Sequence, residues 1–169
     1  NKVRAYAKQH SAEKVRVNLL ALLEKSIQKF KQIKGSGISF NLSCSEVIVV
    51  EVDPLESDLV LYNLFKNSLE ACKNESAPLI SITVEESEQE AVIQIRDNGP
   101  EISEDLVNSI FIPKVSQKTD GLGLGLSICK ALAESQGGCL SAIRNAEGHL
   151  VMKLCLLKAD SVKEIGENH

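Results

Sequence analysis

The chain has 169 residues, of which 43% are hydrophobic and 25% are charged, and its formal net charge is −4 at pH 7. This length is sufficient for one compact domain with a complete hydrophobic core, and an α/β fold is the default expectation. The chain has no long run of basic residues, which excludes the electrostatic footprint of a nucleic-acid-binding protein and leaves no nucleic acid among the expected partners.

The first half of the chain predicts an extended piece, a helix, two strands and a second helix. The segments that carry these elements are, in chain order, 14–17, 19–34, 38–42, 47–52 and 54–73. Asn18 is a favourable N-cap for the first helix, and Gly35 and Gly37 stop it. Asp53 precedes the second helix, which has Pro54 in its first turn, where proline is well tolerated.

The second half predicts two hairpins, separated by an irregular stretch and a third helix. The paired strands are 79–84 with 91–96, and 140–144 with 150–157. The helix follows a glycine-rich segment and runs to Gln136, where Gly137 and Gly138 end it. Residues 97–120 are irregular, and loops of more than about 12–15 residues are usually lids or binding loops. We expect this stretch to contain a nucleotide lid.

The cysteines and apolar runs indicate the compartment. The five cysteines have no CxxC spacing and stand apart from the three histidines, so neither a disulfide framework nor a zinc site is expected. This usage fits a reducing, cytosolic compartment. Apolar runs such as 47–50 are far too short to cross a bilayer. We expect a cytoplasmic domain, whose parent protein could be anchored to a membrane by segments outside this chain.

Three glycines, Gly121, Gly123 and Gly125, stand at alternate positions before the third helix. A glycine in an element interior costs roughly 0.5–1 kcal/mol relative to alanine, so the chain must need a property that only glycine has. A glycine-rich turn at a helix N-terminus directs unpaired N–H groups and the positive end of the helix dipole to one point, which suits a phosphate. A turn that only lets the helix pack remains the alternative for this segment alone.

Two asparagines, Asn63 and Asn67, stand one helical turn apart in an otherwise apolar helix. Asparagine is a poor helix former, so the pair needs a cause. One cause is a carboxamide oxygen held towards Mg²⁺, which takes few protein ligands and keeps water and phosphate oxygens. The alternative is a solvent-facing stripe, because Glu70 and Asn74 continue the same line.

Four motifs resemble the boxes of the sensor histidine kinase catalytic domain, and their order and spacing agree with that family. They are Asn63-Leu64-x-x-Asn67-Ser68-x-x-Ala71 for the N box, Asp97-Asn98-Gly99-Pro100-x-Ile102 for the first glycine box, Phe111-x-Pro113 for the F box, and Gly121-x-Gly123-Leu124-Gly125-Leu126 for the second glycine box. The form of the N box and the short lid at 113–118 are most similar to the nitrogen-regulation and dicarboxylate-sensing kinases.

The resemblance implies the architecture of the whole chain. The expected fold is a two-layer α/β sandwich, with a mixed sheet, helices on one face and ATP between the helices and the lid. Residues 11–158 would form the catalytic ATP-binding domain. Residues 1–10 would be the end of a dimerisation helix, and 159–169 a polar tail. The implied partners are ATP, the dimerisation and phosphoacceptor domain of the same kinase, and a cognate response regulator.

The resemblance also implies the roles of single residues. Asn67 would be the Mg²⁺ ligand, Asn63 a partner of phosphate or metal-bound water, and Asp97 the acceptor of a hydrogen bond from the adenine amino group. For Asp97 an Asx-turn before Asn98 and Gly99 is the structural alternative. The remaining ATP-binding residues would be Gly99, Ile102, Lys118, Gly121, Leu122, Gly123, Leu124 and Gly125. No residue of the chain is expected to be covalently modified in the reaction, because the phosphoacceptor histidine would lie elsewhere.

Three positions depart from the family pattern. Glu101 replaces a glycine, Lys114 replaces the second F-box phenylalanine, and Glu70 replaces a lysine that many relatives carry. We expect Glu101 to weaken nucleotide binding, through backbone strain or repulsion of the triphosphate. Two other functions stay open: a nucleotide-binding or interaction module without kinase activity, and a related ATPase of the gyrase, mismatch-repair or chaperone kind. The latter typically has a glutamate base where this chain has Asn63, whose amide cannot act as a base.

Overall fold

A five-stranded mixed sheet with helices on one face forms the domain, in a computed structural model that describes residues 13–113 and 125–159. In chain order the elements are β1 (Val15–Asn18), α1 (Leu19–Lys34), β2 (Ser39–Ser43), β3 (Val49–Val52), α2 (Pro54–Ala71), β4 (Leu79–Glu86), β5 (Glu90–Asp97), α3 (Glu104–Ser109), α4 (Leu126–Ser135), β6 (Cys139–Arg144) and β7 (Leu150–Leu157). The predicted helix end at 3–9, the tail beyond 159 and most of the glycine-rich segment lie outside the described residues.

The strand order of the sheet is β2-β4-β5-β7-β6. β2 runs parallel to β4, and the other neighbours are antiparallel, so both predicted hairpins are confirmed. β1 and β3 form a separate antiparallel pair, which meets the end of β7 through a bridge between Val50 and Lys158. The sheet edge formed by β2 depends on α2, because the connection between the parallel strands β2 and β4 contains β3 and that helix.

The two faces of the sheet differ in polarity. Along β5, Ala91, Ile93 and Ile95 are at most 1% exposed and face the helices, whereas Gln94 and Arg96 alternate with them on the other face. The core also contains four aromatic rings that contact edge to face, with centroids 5.2 to 6.0 Å apart: Phe30, Phe40, Tyr62 and Phe65. This arrangement confirms the predicted two-layer α/β sandwich.

Two side chains begin the long helices as the sequence predicts. The Asn18 Oδ1 accepts a hydrogen bond from the Ala21 N–H at 3.1 Å, and α1 ends at Gly35, which has φ 93°. The Asp53 Oδ1 accepts from the N–H groups of Leu55 and Glu56 at 2.9 and 3.2 Å. Both caps are local in sequence, and this is why sequence patterns find them.

A buried glutamine joins the start of α2 to the end of α4. The Gln136 side chain is 3% exposed, and its Oε1 accepts hydrogen bonds from the Asp53 N–H at 2.9 Å and the Ser57 hydroxyl at 3.3 Å. A buried amide oxygen with two donors is fully satisfied. The C-terminal end of α4 is therefore fixed to the N-terminal turn of α2.

The short helix α3 lies inside the stretch that was expected to be irregular. The Ser103 hydroxyl accepts a hydrogen bond from the Leu106 N–H at 3.2 Å, and Glu104 and Asp105 occupy the first turn. The helix has six residues, too few for an apolar period to stand out in the sequence. Among the helices of the described residues, none is long and apolar enough to cross a membrane.

Candidate functional site

A small cleft of about 50 Å³, partly open to solvent, lies between α2, α4 and the ends of β5 and β7. Its walls are mostly apolar, and three polar side chains reach it: Asn67, Ser68 and Asp97. The lining residues are Leu64, Asn67, Ser68, Ala71, Ile95, Asp97, Ile110, Leu126, Leu150 and Met152. An apolar slot with few polar groups suits a flat aromatic ring that has a polar edge.

Asp97 ends β5 and is partly buried in the cleft. Its Oδ1 accepts a hydrogen bond from the Gly99 N–H at 2.9 Å, which is the Asx-turn given above as the structural alternative. Burial raises the pKa of Asp97, and the Gly99 N–H, the charge of His149 and the side chains of Cys72 and Ser68 oppose that rise. A carboxylate has about four acceptor sites, so the turn leaves capacity for a ligand.

Gly99 is required by close approach rather than by an unusual φ angle. A Cβ atom at this position would lie 2.7 Å from the Ala71 carbonyl oxygen and 2.8 Å from the Asp97 Oδ1. The turn after β5 therefore packs directly against the last turn of α2. This contact brings the first glycine box and the N box together.

Asn98 fixes the same turn from the other side. Its Oδ1 accepts hydrogen bonds from the Leu79 N–H at 2.9 Å and the Cys72 thiol at 3.3 Å, and its Nδ2 donates to the Ala77 carbonyl at 2.9 Å. These three bonds join the end of β5 to the α2–β4 connection. Asn98 therefore positions the carboxylate of Asp97 through the backbone.

The two predicted asparagines have different environments. Asn67 is exposed and lines the cleft together with Asp97. Asn63 is 2% exposed, and its Nδ2 donates to the Leu59 carbonyl at 2.8 Å, one turn earlier in α2. The structure thus brings Asn67 and Asp97 together, whereas Asn63 lies under them in the helix with its amide nitrogen already paired.

The segment after Gly99 is held by the β6–β7 hairpin. The Ile102 N–H donates to the Gly148 carbonyl at 2.9 Å, and the Arg144 Nε donates to the Ile102 carbonyl at 2.7 Å. The Glu101 carboxylate lies 4.0 Å from the Arg144 guanidinium, its side chain is 68% exposed, and it does not line the cleft. The carboxylate thus lies beside a cation and outside the cleft lining, and the expected weakening of nucleotide binding by Glu101 stays a prediction.

Gly125 immediately precedes α4 and is exposed. Within the described residues, no side chain caps the first turn of α4. The Gly125 carbonyl accepts from the N–H groups of Ile128 and Cys129 at 2.9 and 3.3 Å, so the helix begins here. The N–H groups of α4 that precede Ile128 thus have no side-chain cap from the described residues, and such groups can bind an anion.

The F-box residue Phe111 packs against the same helix. The Lys130 ammonium lies 4.9 Å from the centroid of the Phe111 ring, a cation–π contact. The segment that enters the predicted lid is therefore fixed to α4. The other predicted residues of the lid and the glycine-rich segment lie outside the described residues: Lys118, Gly121, Leu122, Gly123 and Leu124.

Three residues around Asp97 were not predicted as site residues. Ser68 is 6% exposed and Cys72 is fully buried, and both act to lower the pKa of the Asp97 carboxyl. His149 has a buried Nδ1 without a hydrogen-bond partner among the described residues, and its charge acts on Asp97. Ser68 directly follows Asn67 in the N box, and this position is the sequence feature that could have identified it as a site residue. Cys72 and His149 come close to Asp97 only through the fold.

A mixed sheet covered by helices on one face, with an acidic side chain and an amide in an apolar cleft, defines a nucleotide-binding ATPase domain. Residues 52–159 match the family described as histidine kinase-, DNA gyrase B- and HSP90-like ATPase, and the chain belongs to that family. Its similar proteins are sensor histidine kinases, so the domain is of the histidine kinase type.

Several curated proteins are similar to this chain over part of their length. Sensor protein KdpD of Clostridium acetobutylicum is 34% identical over 119 residues, which is 67% of this chain and 13% of KdpD. Sensor histidine kinase ZraS of Escherichia coli is 30% identical over 134 residues, 78% of this chain and 28% of ZraS. The C4-dicarboxylate transport sensor protein DctB of Rhizobium meliloti is 36% identical over 89 residues, 53% of this chain and 14% of DctB. The chain thus spans less than a third of these relatives.

Solved structures show the same fold. The catalytic domain of histidine kinase ThkA superposes with a TM-score of 0.73 and 32% identity, covering 86% of this chain and 96% of that one. A structure of ThkA in complex with response regulator protein TrrA aligns with a TM-score of 0.68 and 25% identity, over 94% of this chain and 47% of that one. The nitrogen-regulation subtype stays a prediction, because the similar proteins include kinases of several names.

Proposed function

We propose that this chain is the catalytic ATP-binding domain of a two-component kinase that transfers the γ-phosphoryl group of Mg·ATP to a histidine outside the chain. The observation that carries the proposal is the meeting of Asp97 and Asn67 in one apolar cleft. These residues come from two motifs that are 30 positions apart, and each has the chemistry that one part of the nucleotide needs.

The adenine ring would lie between the apolar walls, among them Ile95, Leu126 and Met152. Asp97 would accept a hydrogen bond from the adenine amino group, because the Gly99 N–H uses only part of its acceptor capacity. Asn98 and Gly99 hold the carboxylate in place through the contacts to α2 and β4. A positioned acceptor of this kind distinguishes adenine from guanine, which has a carbonyl at the corresponding position.

The donor set fits Mg²⁺ only if the nucleotide supplies further ligands. Among the described residues, no group of three His, Cys, Asp or Glu side chains could hold a metal ion. An exposed amide oxygen at Asn67 suits a cation that keeps phosphate and water oxygens around it. Bound there, Mg²⁺ would neutralise charge on the phosphates. Asn63, buried one turn below, would support this position through its carboxamide oxygen.

The phosphates would lie at the start of α4. Gly125 leaves the helix without a side-chain cap, and the N–H groups of Gly121, Gly123 and Gly125 would surround the β- and γ-phosphates. Lys118 would reach the γ-phosphate from the lid. The chain's own contribution to phosphoryl transfer is then binding and orientation, with no covalent intermediate on its side chains.

The remaining partners follow from the relatives. The phosphoacceptor would be a histidine of the dimerisation domain of the same kinase, and the phosphoryl group would pass to a cognate response regulator. The complex of ThkA with TrrA supports the second assignment. The domain would work in the cytoplasm.

Calorimetric titration with Mg·ATP tests the binding step. Asn67→Ala should abolish Mg²⁺-dependent ATP binding while the fold remains, because an exposed side chain is removed from a helix that it does not favour. Asn74→Ala is the matched control, since Asn74 is exposed near the end of α2 and outside the cleft. Unchanged affinity in Asn67→Ala would refute the assignment of Asn67.

Transfer in trans to the kinase's own phosphoacceptor domain separates a kinase from a module that only binds nucleotide. Acid-labile, alkali-stable label on that domain is the expected result. Binding of Mg·ATP without any such label would favour the module, and free phosphate release without transfer would favour a related ATPase.

A further inference from the structure

Cys139 and Cys155 face each other on the outer two strands of the sheet. They are directly opposed partners in the antiparallel pairing of β6 with β7, and β6 is the edge strand. Their side chains lie on the face that the helices leave uncovered, because the adjacent Leu140 and Leu154 are 1% exposed and point into the core. Cys139 is exposed and Cys155 is partly buried.

The geometry of this pair matches that of a disulfide. Opposed residues in an antiparallel pair have Cα atoms about 4.5–5.5 Å apart, inside the range of roughly 4.4–6.8 Å for bridged cysteines. The two residues are opposed in the strand register, and the nearby Cys139 thiol contributes to the raised pKa of Cys155. A bridge would therefore need a change of side-chain rotamer rather than a movement of the backbone.

The backbone beside the pair is tightly held. A Cβ atom at Gly138 would clash with the Cys155 carbonyl oxygen, so the chain enters β6 in direct contact with β7. The Gly138 N–H also donates to the Ala133 carbonyl at 3.0 Å, which anchors the segment to the end of α4. Cys139 is thus kept opposite Cys155.

The other three cysteines have no such arrangement. Cys72 and Cys129 are fully buried, and the Cys44 thiol donates to the Glu46 carbonyl at 3.6 Å. Only the pair on β6 and β7 combines an exposed thiol with a second thiol opposite it.

The two thiols differ in reactivity. Burial, together with the nearby Cys139 thiol, raises the pKa of Cys155 to about 12. Cys155 therefore remains a thiol, whereas the exposed Cys139 is open to an oxidant. This difference sets the order of the two steps.

We propose that Cys139 and Cys155 form a peroxide-responsive dithiol that closes to a reversible cross-strand disulfide. In the first step the Cys139 thiol loses its proton and its sulfur attacks one oxygen of a hydroperoxide; the O–O bond breaks, sulfenic acid forms, and the leaving oxygen takes up the proton and departs as water or an alcohol. In the second step the Cys155 sulfur attacks the Cys139 sulfur, and the hydroxyl group leaves with the Cys155 proton as water. Two thiols are oxidised and one peroxide is reduced. A dithiol reductant restores the pair, so the bridge is compatible with a reducing compartment.

Peroxide treatment of the intact chain, followed by mass spectrometry, tests the proposal. The expected product has lost the mass of two hydrogen atoms, contains one linked peptide pair with Cys139 and Cys155, forms at a rate independent of protein concentration, and reverts with dithiothreitol. Cys44→Ser is the matched control and should form the same product.

The single variants separate the two steps. Cys155→Ser should stop at a sulfenic acid on Cys139, which dimedone traps, because the resolving thiol is absent. Cys139→Ser should give neither the bridge nor a dimedone adduct at Cys155. Thermal melting of each variant checks that it is folded, and Cys139→Ser should fold because its side chain is exposed.

Three results would overturn the proposal: a linked pair that contains another cysteine, a bridge between two copies of the chain, or wild-type protein that proceeds to sulfinic acid on Cys139 without any bridge. ATP binding is not a readout here, so failure of this proposal leaves the nucleotide site untouched.

Discussion

The carboxylate of Asp97 contributes to both the local turn and the proposed nucleotide contact. Its Oδ1 accepts the Gly99 N–H, and an asparagine can retain that bond while losing the charge. We therefore predict that Asp97→Asn weakens ATP binding by roughly 1.5–3 kcal/mol, or one to two decades in affinity, through the loss of a charge-assisted hydrogen bond. Calorimetry with ATP and tripolyphosphate measures the effect.

Asp105→Asn is the control, because this substitution removes the same charge from an exposed position on α3 that lies outside the cleft. Equal weakening of tripolyphosphate by Asp97→Asn would contradict an adenine contact.

Partial burial of Asp97 also predicts a pH dependence of stability. The unfolded carboxyl ionises near its ordinary pKa of 3.8, whereas burial raises the pKa of Asp97 in the folded chain. In the window just above the ordinary value the folded state binds more protons, so this group makes the free energy of unfolding fall as the pH rises. Asp97→Asn should remove this contribution, as measured by urea unfolding between about pH 4 and about pH 6. An unchanged pH profile would contradict it.

The contact between the β5 turn and the end of α2 predicts a sharp packing effect at Gly99. In Gly99→Ala the new methyl group would meet the Ala71 carbonyl, a backbone group that cannot rotate away. We expect a loss of about 1–3 kcal/mol in the free energy of unfolding. Gly37→Ala is the control, since a Cβ there has nothing within 4 Å. Equal urea midpoints for the two variants would contradict this close approach.

The contact between Glu101 and Arg144 of the β6–β7 hairpin changes the expected effect of Glu101 on ATP affinity. From sequence, Glu101→Gly should tighten ATP binding about three- to thirty-fold. With the carboxylate beside Arg144 and exposed, we now predict a change of less than about threefold in ATP affinity. Parallel titrations of the variant and the parent with ATP and adenosine distinguish these two expectations. If Glu101→Gly tightens the binding of ATP but not of adenosine, repulsion between Glu101 and the triphosphate is supported.

The helices and strands that the sequence predicts correctly are those that depend on short-range sequence patterns. The caps at Asn18 and Asp53 and the two hairpins depend on neighbouring residues, and all are present. β3 begins at Val49 rather than at residue 47, because its pairing with β1 determines where it starts. The short helix α3 depends on a cap and on the anchored Ile102, which no periodicity reveals.

In the site too, some features follow from local sequence and others from tertiary contacts. The motif spacing predicts that α2, β5 and the start of α4 contribute to one site, and the cleft contains residues from all three. The surroundings of Asp97 could not be predicted, because Cys72 and His149 reach it through tertiary contacts. Asn63 and Asn67 lie on the same face of α2, so their different burial depends on which neighbouring elements cover each turn, and the sequence does not specify this.

For the whole molecule, a phosphoacceptor histidine outside this chain predicts that the chain binds ATP without phosphorylating itself. The chain should bind Mg·ATP, yet incubation with γ-labelled ATP should leave its own histidines unlabelled, since the phosphoacceptor would be elsewhere. Acid-labile phosphate on His10, His149 or His169 would contradict this. Label on the phosphoacceptor domain in the same tube serves as the positive control.

The Gln136 hydrogen bonds have a mechanical consequence for α4. One end of this ten-residue helix is tied to α2 through Gln136, while the other begins at Gly125 with no side-chain cap among the described residues. The C-terminal end of α4 is therefore tethered by side-chain hydrogen bonds, and a phosphate bound at Gly125 would supply the corresponding tether at the N-terminal end. Because the Gln136 bonds lie at the end of α4 opposite to the proposed phosphate position, we expect them to persist whether or not nucleotide is bound.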